Sequence, residues 1–198
     1  GGAPGTTLGQ VDYQIAIGSL AWRYRRTESN FSARRSYLVA QEGLRNECRE
    51  RLGRLKPGLR VGVSWRGGGV PLTRLHRTIM LSDWAPLFAL DGVEFINLQY
   101  GDTAADREGA ERDAQVTIHD LGVDLTHDIE SLCALISELD LVISIDNSAV
   151  HLAGALGTPV WVIVPAKPDW RWMLGRDDSP WYPSVRLVRR QKGDAADV

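Results

Sequence analysis

The pattern of hydrophobic and polar positions changes near residue 58. From about residue 59 onward, short apolar and β-branched runs alternate with windows of helical periodicity. This alternation is typical of βαβ units, in which helices cover a parallel sheet. It predicts an α/β fold with helices on both faces of the sheet. The predicted strands are residues 60–65, 93–98, 115–119, 141–145, 160–164 and 185–188.

Predicted helices separate these strands. A short helix is expected at 82–90, and a charged surface helix is expected between the second and third strands. In the window 128–139, apolar side chains recur on one helical face, so we expect Cys133 to be a packed core residue. A helix of small residues follows the fourth strand, and Gly157 is expected to end it.

Before residue 58 the pattern is irregular. The segment has Gly and Pro at its start, an arginine-rich middle and one helical stretch at about 41–55. We interpret residues 1–58 as a linker and the end of a preceding N-terminal domain, and residues 59–198 as the α/β domain. The arginine cluster is expected to be solvated or to contact a partner; it comprises Arg23, Arg25, Arg26, Arg34 and Arg35.

The composition narrows the possible functions. The 198 residues are 43% hydrophobic and 24% charged with a net charge of -2, as in soluble globular proteins. Neither a nucleic acid nor membrane insertion is expected, because no basic helix face and no apolar run of membrane-spanning length is found. Cys48 and Cys133 lack neighbours at metal-binding spacing, so we expect no metal, no disulfide and a cytoplasmic location.

In open α/β sheets, ligands bind beyond the carboxyl ends of the strands. The strongest candidate follows the fourth strand, where the backbone N–H groups of Asn147, Ser148 and Ala149 are expected to bind a diphosphate at a helix N-terminus. His151, one turn later, is expected to donate to a phosphate or sugar oxygen, although packing under a loop is the alternative. Asp146 either contacts the ligand or holds the turn.

A second candidate follows the first strand. Gly67 lets the backbone approach a ligand, and Arg66 is expected to clamp an anion. The glycines do not complete a dinucleotide-binding fingerprint, because Leu72 stands where the third glycine is required and Pro71 disrupts the helix start. This departure argues against an ordinary dehydrogenase.

A third group consists of Gln99, Tyr100 and Asp128, which are polar residues at strand ends. They are expected to recognise the base, ribose or sugar of a nucleotide, but plain turn chemistry would look the same. Tryptophans between Trp161 and Trp181 suggest either a sugar-stacking platform or core packing, and core packing is favoured.

Together these segments resemble the GT-B glycosyltransferases of the heptosyltransferase kind, and in particular the C-terminal domains found behind tetratricopeptide repeats in bacterial proteins. The resemblance covers about residues 60–190, and the Asp146-x-x-x-x-His151-Leu-Ala element is its most specific part. The matching segments are 62–68 (GVSWRGG), 95–101 (FINLQYG), 139–146 (LDLVISID), 151–157 (HLAGALG) and 179–183 (SPWYP).

The resemblance implies a Rossmann-like C-terminal half of a GT-B fold that binds a nucleotide diphospho-sugar without a metal or other cofactor. It further implies an inverting transfer whose base comes from the N-terminal half, so no catalytic residue is assigned here and the chain is expected to be inactive alone. Asn147-Ser148 replaces the usual Thr-Gly of the family. A non-catalytic binding or interaction module that retains the fold is therefore the alternative.

Overall fold

The structure is a computed structural model that describes residues 12–31, 34–68 and 78–191. The chain divides after residue 32 into two compact units. The first contains helix α1 (Ile17–Tyr24), in which no residue is buried, and a 3-10 turn at Glu28–Asn30. Within this unit, the Arg26 guanidinium lies over the Trp22 ring, 5.0 Å from its centroid.

The second unit is a six-stranded parallel sheet with helices between its strands, which confirms the predicted α/β class. Each predicted strand is found, although the third is only two residues long. In chain order, the elements are α2 (Glu42–Leu52), β1 (Leu59–Ser64), α3 (Ala85–Phe88) preceded by a 3-10 turn at Leu81–Trp84, β2 (Val93–Asn97), α4 (Ala104–Ala114), β3 (Ile118–His119), α5 (Ile129–Ser137), β4 (Leu141–Ile145), α6 (Ser148–Leu156), β5 (Val160–Val164), a 3-10 turn at Trp170–Trp172 and β6 (Val185–Arg189).

The strand order is β3-β2-β1-β4-β5-β6. After β1 the chain builds the sheet outward through β2 and β3, and then crosses back to place β4 on the other side of β1. Because the direction of winding reverses there, β1 and β4 border the topological switch point of the sheet. Ser64 at the end of β1 pairs with Ser144 of β4, so the following loops leave the sheet side by side.

Two hydrophobic clusters cover the two faces of this sheet. Val142 and Ile143 are neighbours in β4, but Val142 belongs to the first cluster and Ile143 to the second. This follows from the alternation of side chains along a strand. Helices α2, α5 and α6 contribute to the first cluster, and α3 and α4 contribute to the second, which confirms the expectation of helices on both faces.

Helix α2 packs against α5 and buries Cys48 and Leu52 in the first cluster. Glu138, directly after α5, accepts hydrogen bonds from Arg45 (2.8 Å) and Arg49 (2.9 and 3.0 Å) of α2. Residues 34–58 thus share the compact unit of the sheet. The assignment of residues 1–58 to the end of a preceding domain stays a prediction.

Cys133 of helix α5 was expected to be a packed core residue. It is partly buried and packs against the first cluster. Burial raises the pKa of both thiols, of Cys48 and of Cys133, so each keeps its proton at neutral pH. Over the described residues, no helix combines the length and the apolar character that crossing a membrane requires.

Candidate functional site

The loops after β1 and β4 flank the switch point of the sheet. The described residues there are 65–68 after β1 and 146–147 after β4, followed by Ser148 at the start of helix α6, and we call the space that they border the crevice. The structure therefore brings together the first two candidate groups of the sequence, because parallel neighbours end at the same edge. Helix α6 begins at this edge with Ser148, which is exposed between buried neighbours.

A buried hydrogen-bond network lies beneath the crevice. The Asn147 Nδ2 group donates to Ser64 Oγ at 2.7 Å, and Ser64 Oγ donates to Gln99 Oε1 at 2.9 Å. The hydroxyl of Ser144 lies between two acceptors, the Ile145 carbonyl at 2.8 Å and Asn147 Oδ1 at 3.2 Å. All four polar residues are buried, so the network links the ends of β1, β2 and β4. The sequence analysis did not single out Ser64 and Ser144. The signal that could have found them is a serine within an otherwise apolar strand.

Asn147 is the N-cap of helix α6. Its backbone is extended, and its Oδ1 atom accepts a hydrogen bond from the Ala149 amide at 3.0 Å. Asparagine is among the preferred N-cap residues because it satisfies one of the amides that the first helical turn leaves unpaired. The Ala149 amide thus has a partner within the chain, which differs from the expectation that it faces a ligand. Ser148 is the side chain at the helix start that reaches solvent.

His151 lies one turn into α6 and contacts groups on several sides. Its Nδ1 atom is 3.2 Å from the Tyr182 hydroxyl, and its Nε2 atom is 3.8 Å from Asp146 Oδ1. The ring stacks on Trp172, with 5.4 Å between centroids and 11° between planes. Since the His151 side chain is 33% exposed, it reaches the surface from a packed environment.

His151 is thus packed against other side chains and partly exposed, and its donation to a phosphate or sugar oxygen stays a prediction. Asp146, which was expected either to contact the ligand or to hold the turn, is 5% exposed beneath His151. Burial, followed by a hydrogen bond with Tyr37, raises the pKa of Tyr182, so its hydroxyl stays protonated. Sequence reasoning identified neither Tyr182 nor Trp172 as a neighbour of His151.

On the other side of the crevice, the Arg66 guanidinium is held by Asp106 of helix α4 and by Asp102 just before that helix. It donates to the Asp102 carbonyl and lies 3.2 Å from the Asp106 carboxylate, which also accepts from Trp65 Nε1 at 3.0 Å. Gly67 is buried. An anion at the crevice must compete with Asp106 for Arg66, so the clamping role of Arg66 stays a prediction.

Arg66 and Trp65 also line a cavity of about 260 Å³. Its remaining walls come from residues 78–82 and from helix α4, and none comes from the start of α6. Ligand pockets usually enclose roughly 300–1,000 Å³. This cavity lies near the lower end of that range, and it shares Arg66 with the candidate site but does not reach the start of α6.

The third candidate group does not form one cluster of free polar groups. The Gln99 Oε1 atom accepts from Ser64 Oγ and from the Trp65 and Arg66 amides at 2.7–3.0 Å. Tyr100 is half-buried, with its hydroxyl in the space that a side chain at residue 68 would need. Gln99 therefore orders the loop after β1, and recognition of a ligand by Gln99 or Tyr100 remains a prediction.

Asp128 is the N-cap of helix α5 and accepts from the Ser131 amide at 3.0 Å. Hydrogen bonds from Ser131 lower the pKa of the Asp128 carboxyl group. Capping accounts for the type of residue at this position, as the turn interpretation predicted. A contact between Asp128 and a nucleotide stays a prediction.

The tryptophans divide between core and surface. Trp172 is 1% exposed, in agreement with the favoured interpretation, whereas Trp161 is 44% and Trp170 57% exposed. The Arg171 guanidinium lies over the Trp170 ring at 5.0 Å from its centroid. Core packing therefore explains only part of this aromatic group. Among the described residues, no three His, Cys, Asp or Glu side chains gather as a metal-binding group.

Comparison with known proteins gives one relative by sequence and several by fold. No family model matches the chain. Protein FlbA of Caulobacter vibrioides is 35% identical over 186 residues, which cover 93% of this chain and 31% of FlbA. The chain thus spans about a third of the length of this curated relative, whose name states no activity.

Two solved structures share the fold. One is the ADP-heptose lipopolysaccharide heptosyltransferase II of E. coli, with a TM-score of 0.58 and 14% identity; the match covers 86% of this chain and 51% of that one. The other is a glycosyl transferase family 9 protein from Veillonella parvula, with a TM-score of 0.51 and 15% identity. This match covers 78% of our chain and 42% of the Veillonella protein.

At these identities the likeness establishes the fold, and the resemblance noted in the sequence is confirmed at that level. The sheet order and the helices on both faces agree with it. The chain therefore has a Rossmann-like α/β fold that is similar to the fold of these two glycosyltransferase structures.

Proposed function

We propose that this domain binds the nucleotide diphospho-sugar donor of an inverting, metal-independent glycosyltransferase. The observation that carries the proposal is the convergence of the β1 and β4 loops at the switch point of the sheet, where helix α6 begins. Ligands of open α/β sheets bind at this position. The proposed cytoplasmic location rests on the two free cysteines.

The start of α6 supplies the electrostatics that this proposal needs. The helix dipole concentrates partial positive charge at Ser148, which is the exposed residue there. A diphosphate carries negative charge in the bound donor and gains more as the glycosidic bond breaks. The domain thus stabilises the leaving group, with His151 as an additional hydrogen-bond donor.

The other half of the reaction lies outside this chain in our proposal. The acceptor and the general base come from the N-terminal half of the full-length protein, so the chain alone is inactive. Arg66 contributes when it exchanges the Asp106 carboxylate for a phosphate oxygen. That exchange conserves charge pairing, since both partners of the guanidinium are anions.

A second candidate function is a non-catalytic interaction module that retains the fold. It is favoured by the internal pairing of the groups that would otherwise hold a diphosphate. Asn147 caps the Ala149 amide, and Asp106 pairs with Arg66. A module of this kind needs no free anion-binding groups at the crevice.

Calorimetric titration with ADP, UDP and GDP distinguishes the two functions. We expect saturable binding of one nucleotide, and we expect Ser148→Trp to abolish it, because an indole at the exposed helix start blocks the anion without entering the core. His151→Ala should weaken it. Glu47→Trp, at an exposed position of helix α2, is the matched control and should leave binding unchanged.

Two results would count against the donor site. Absence of binding by the wild-type chain at millimolar concentrations of all three nucleotides would favour the interaction module. Binding that persists in Ser148→Trp would move the nucleotide away from helix α6.

A further inference from the structure

Tyr182 lies along helix α6 because residue 154 has no side chain. A Cβ atom on Gly154 would stand 2.5 Å from the Tyr182 Cγ atom, so the aromatic ring occupies the space that glycine leaves. His151 precedes Gly154 by three residues and therefore shares its helix face. From this position the Tyr182 hydroxyl reaches His151 Nδ1 at 3.2 Å.

Two aromatic rings restrain the His151 imidazole. Trp172, which is 1% exposed, stacks nearly parallel to it, and Tyr182 lies at 5.8 Å between centroids with a tilt of 54°. Rotation of the imidazole by 180° about its χ2 angle would keep the stacking on Trp172, but it would carry Nδ1 away from the Tyr182 hydroxyl and break that hydrogen bond. Each nitrogen therefore keeps its direction, with Nδ1 toward Tyr182 and Nε2 toward Asp146.

These directions bear on the position of the imidazole proton. A neutral imidazole has one N–H donor and one acceptor nitrogen. The Asp146 carboxylate, 3.8 Å from Nε2, favours a proton on that nitrogen electrostatically. Nδ1 is then the acceptor and needs a donor. The Tyr182 hydroxyl has one proton and also forms a hydrogen bond with Tyr37, so in this arrangement it donates to Nδ1 and accepts from Tyr37.

We propose that Tyr182 is a positioning residue that holds His151 as the Nε2–H tautomer, with this N–H on the side of Asp146, which belongs to the loop that borders the crevice. An N–H donor is what an anionic phosphate oxygen requires, so Tyr182 prepares His151 for a nucleoside diphosphate. This last step rests on the proposed function. The effect on the tautomer does not.

Nitrogen-15 NMR of the histidine side chains tests the tautomer directly, at a pH where the imidazole is neutral. We expect only the Nε2–H form of His151 in the wild-type chain and a mixture of both tautomers in Tyr182→Phe, which keeps the ring and loses the hydroxyl. His151→Ala identifies the His151 signals. Tyr24→Phe, an exposed tyrosine in the other unit, is the matched control and should change nothing.

The nucleotide titration forms the second arm. Tyr182→Phe should weaken binding by roughly fivefold, the effect of one hydrogen bond, while thermal unfolding verifies that the fold is intact. An Nδ1–H wild-type form, or an unchanged tautomer in Tyr182→Phe, overturns the positioning role. If the wild-type chain binds no nucleotide, the proposed function fails, yet the tautomer measurement still decides the role of Tyr182.

Discussion

Replacing Gln99 by leucine tests whether this side chain is a structural clamp. Gln99 is 2% exposed, and its Oε1 atom accepts three hydrogen bonds, from Ser64 Oγ and from the Trp65 and Arg66 amides. Leucine is similar in size but accepts none. Gln99→Leu thus removes the partner of three donors at once without leaving a large cavity.

The expected cost follows from these donors. An unsatisfied buried N–H or O–H group costs about 1–3 kcal/mol. The Trp65 amide and the Ser64 hydroxyl are enclosed, whereas Arg66 is partly exposed, so water replaces its lost partner. The sum is a loss of about 2–4 kcal/mol in the free energy of unfolding. At about 2–4 °C per kcal/mol, the Tm should fall by roughly 4–16 °C.

Urea and thermal unfolding measure this loss. Gln99→Glu is the informative control, because a carboxylate accepts from the same donors and hydrogen bonds stabilise its charge; it should cost less than leucine does. Gln41→Leu, at an exposed glutamine, should have little effect. A loss below about 1 kcal/mol in Gln99→Leu would refute the clamp, given the cost of unpaired donors. Reduced nucleotide affinity at unchanged stability would identify Gln99 as a ligand contact instead.

Two further predictions concern helix ends. Gly157→Ala should lower the free energy of unfolding by at least about 1 kcal/mol, because φ is 82° and the added Cβ would lie 2.9 Å from the Arg35 carbonyl oxygen. At Gly175, φ is 69° and an added Cβ would have no atom within 4 Å, so Gly175→Ala should lower the free energy of unfolding less in the same urea titration. Equal losses in the two variants would show that the contact with Arg35 contributes nothing to the cost of Gly157→Ala. Because hydrogen bonds from Ser131 lower the folded pKa of Asp128, its contribution is present above pH 3.8 and disappears as the pH falls through the folded pKa. Unfolding of Asp128→Asn should therefore depend less on pH in that range, and identical pH profiles would exclude this linkage.

Much of the fold was predictable because its signals are local. Strand β4 is an almost continuous apolar run and is buried along most of its length, as such a run predicts. Strand β5 is also apolar, although its Trp161 is 44% exposed. Gly157 ends helix α6 with a positive φ, as its position after the small-residue helix predicted. The two-residue strand β3, at one edge of the sheet, is shorter than the strand predicted at 115–119.

The sequence by itself also determined which loops border the crevice, since polar residues after buried parallel strands must gather at one edge of the sheet. Only the tertiary structure decided what those residues contact. Asn147 follows β4 and Gln99 follows β2, but both bond to Ser64 of β1. Tyr182 contacts His151 although the two are 31 residues apart in the chain. Such contacts depend on how separate elements pack, and a local pattern carries no information about the distance between two side chains in space.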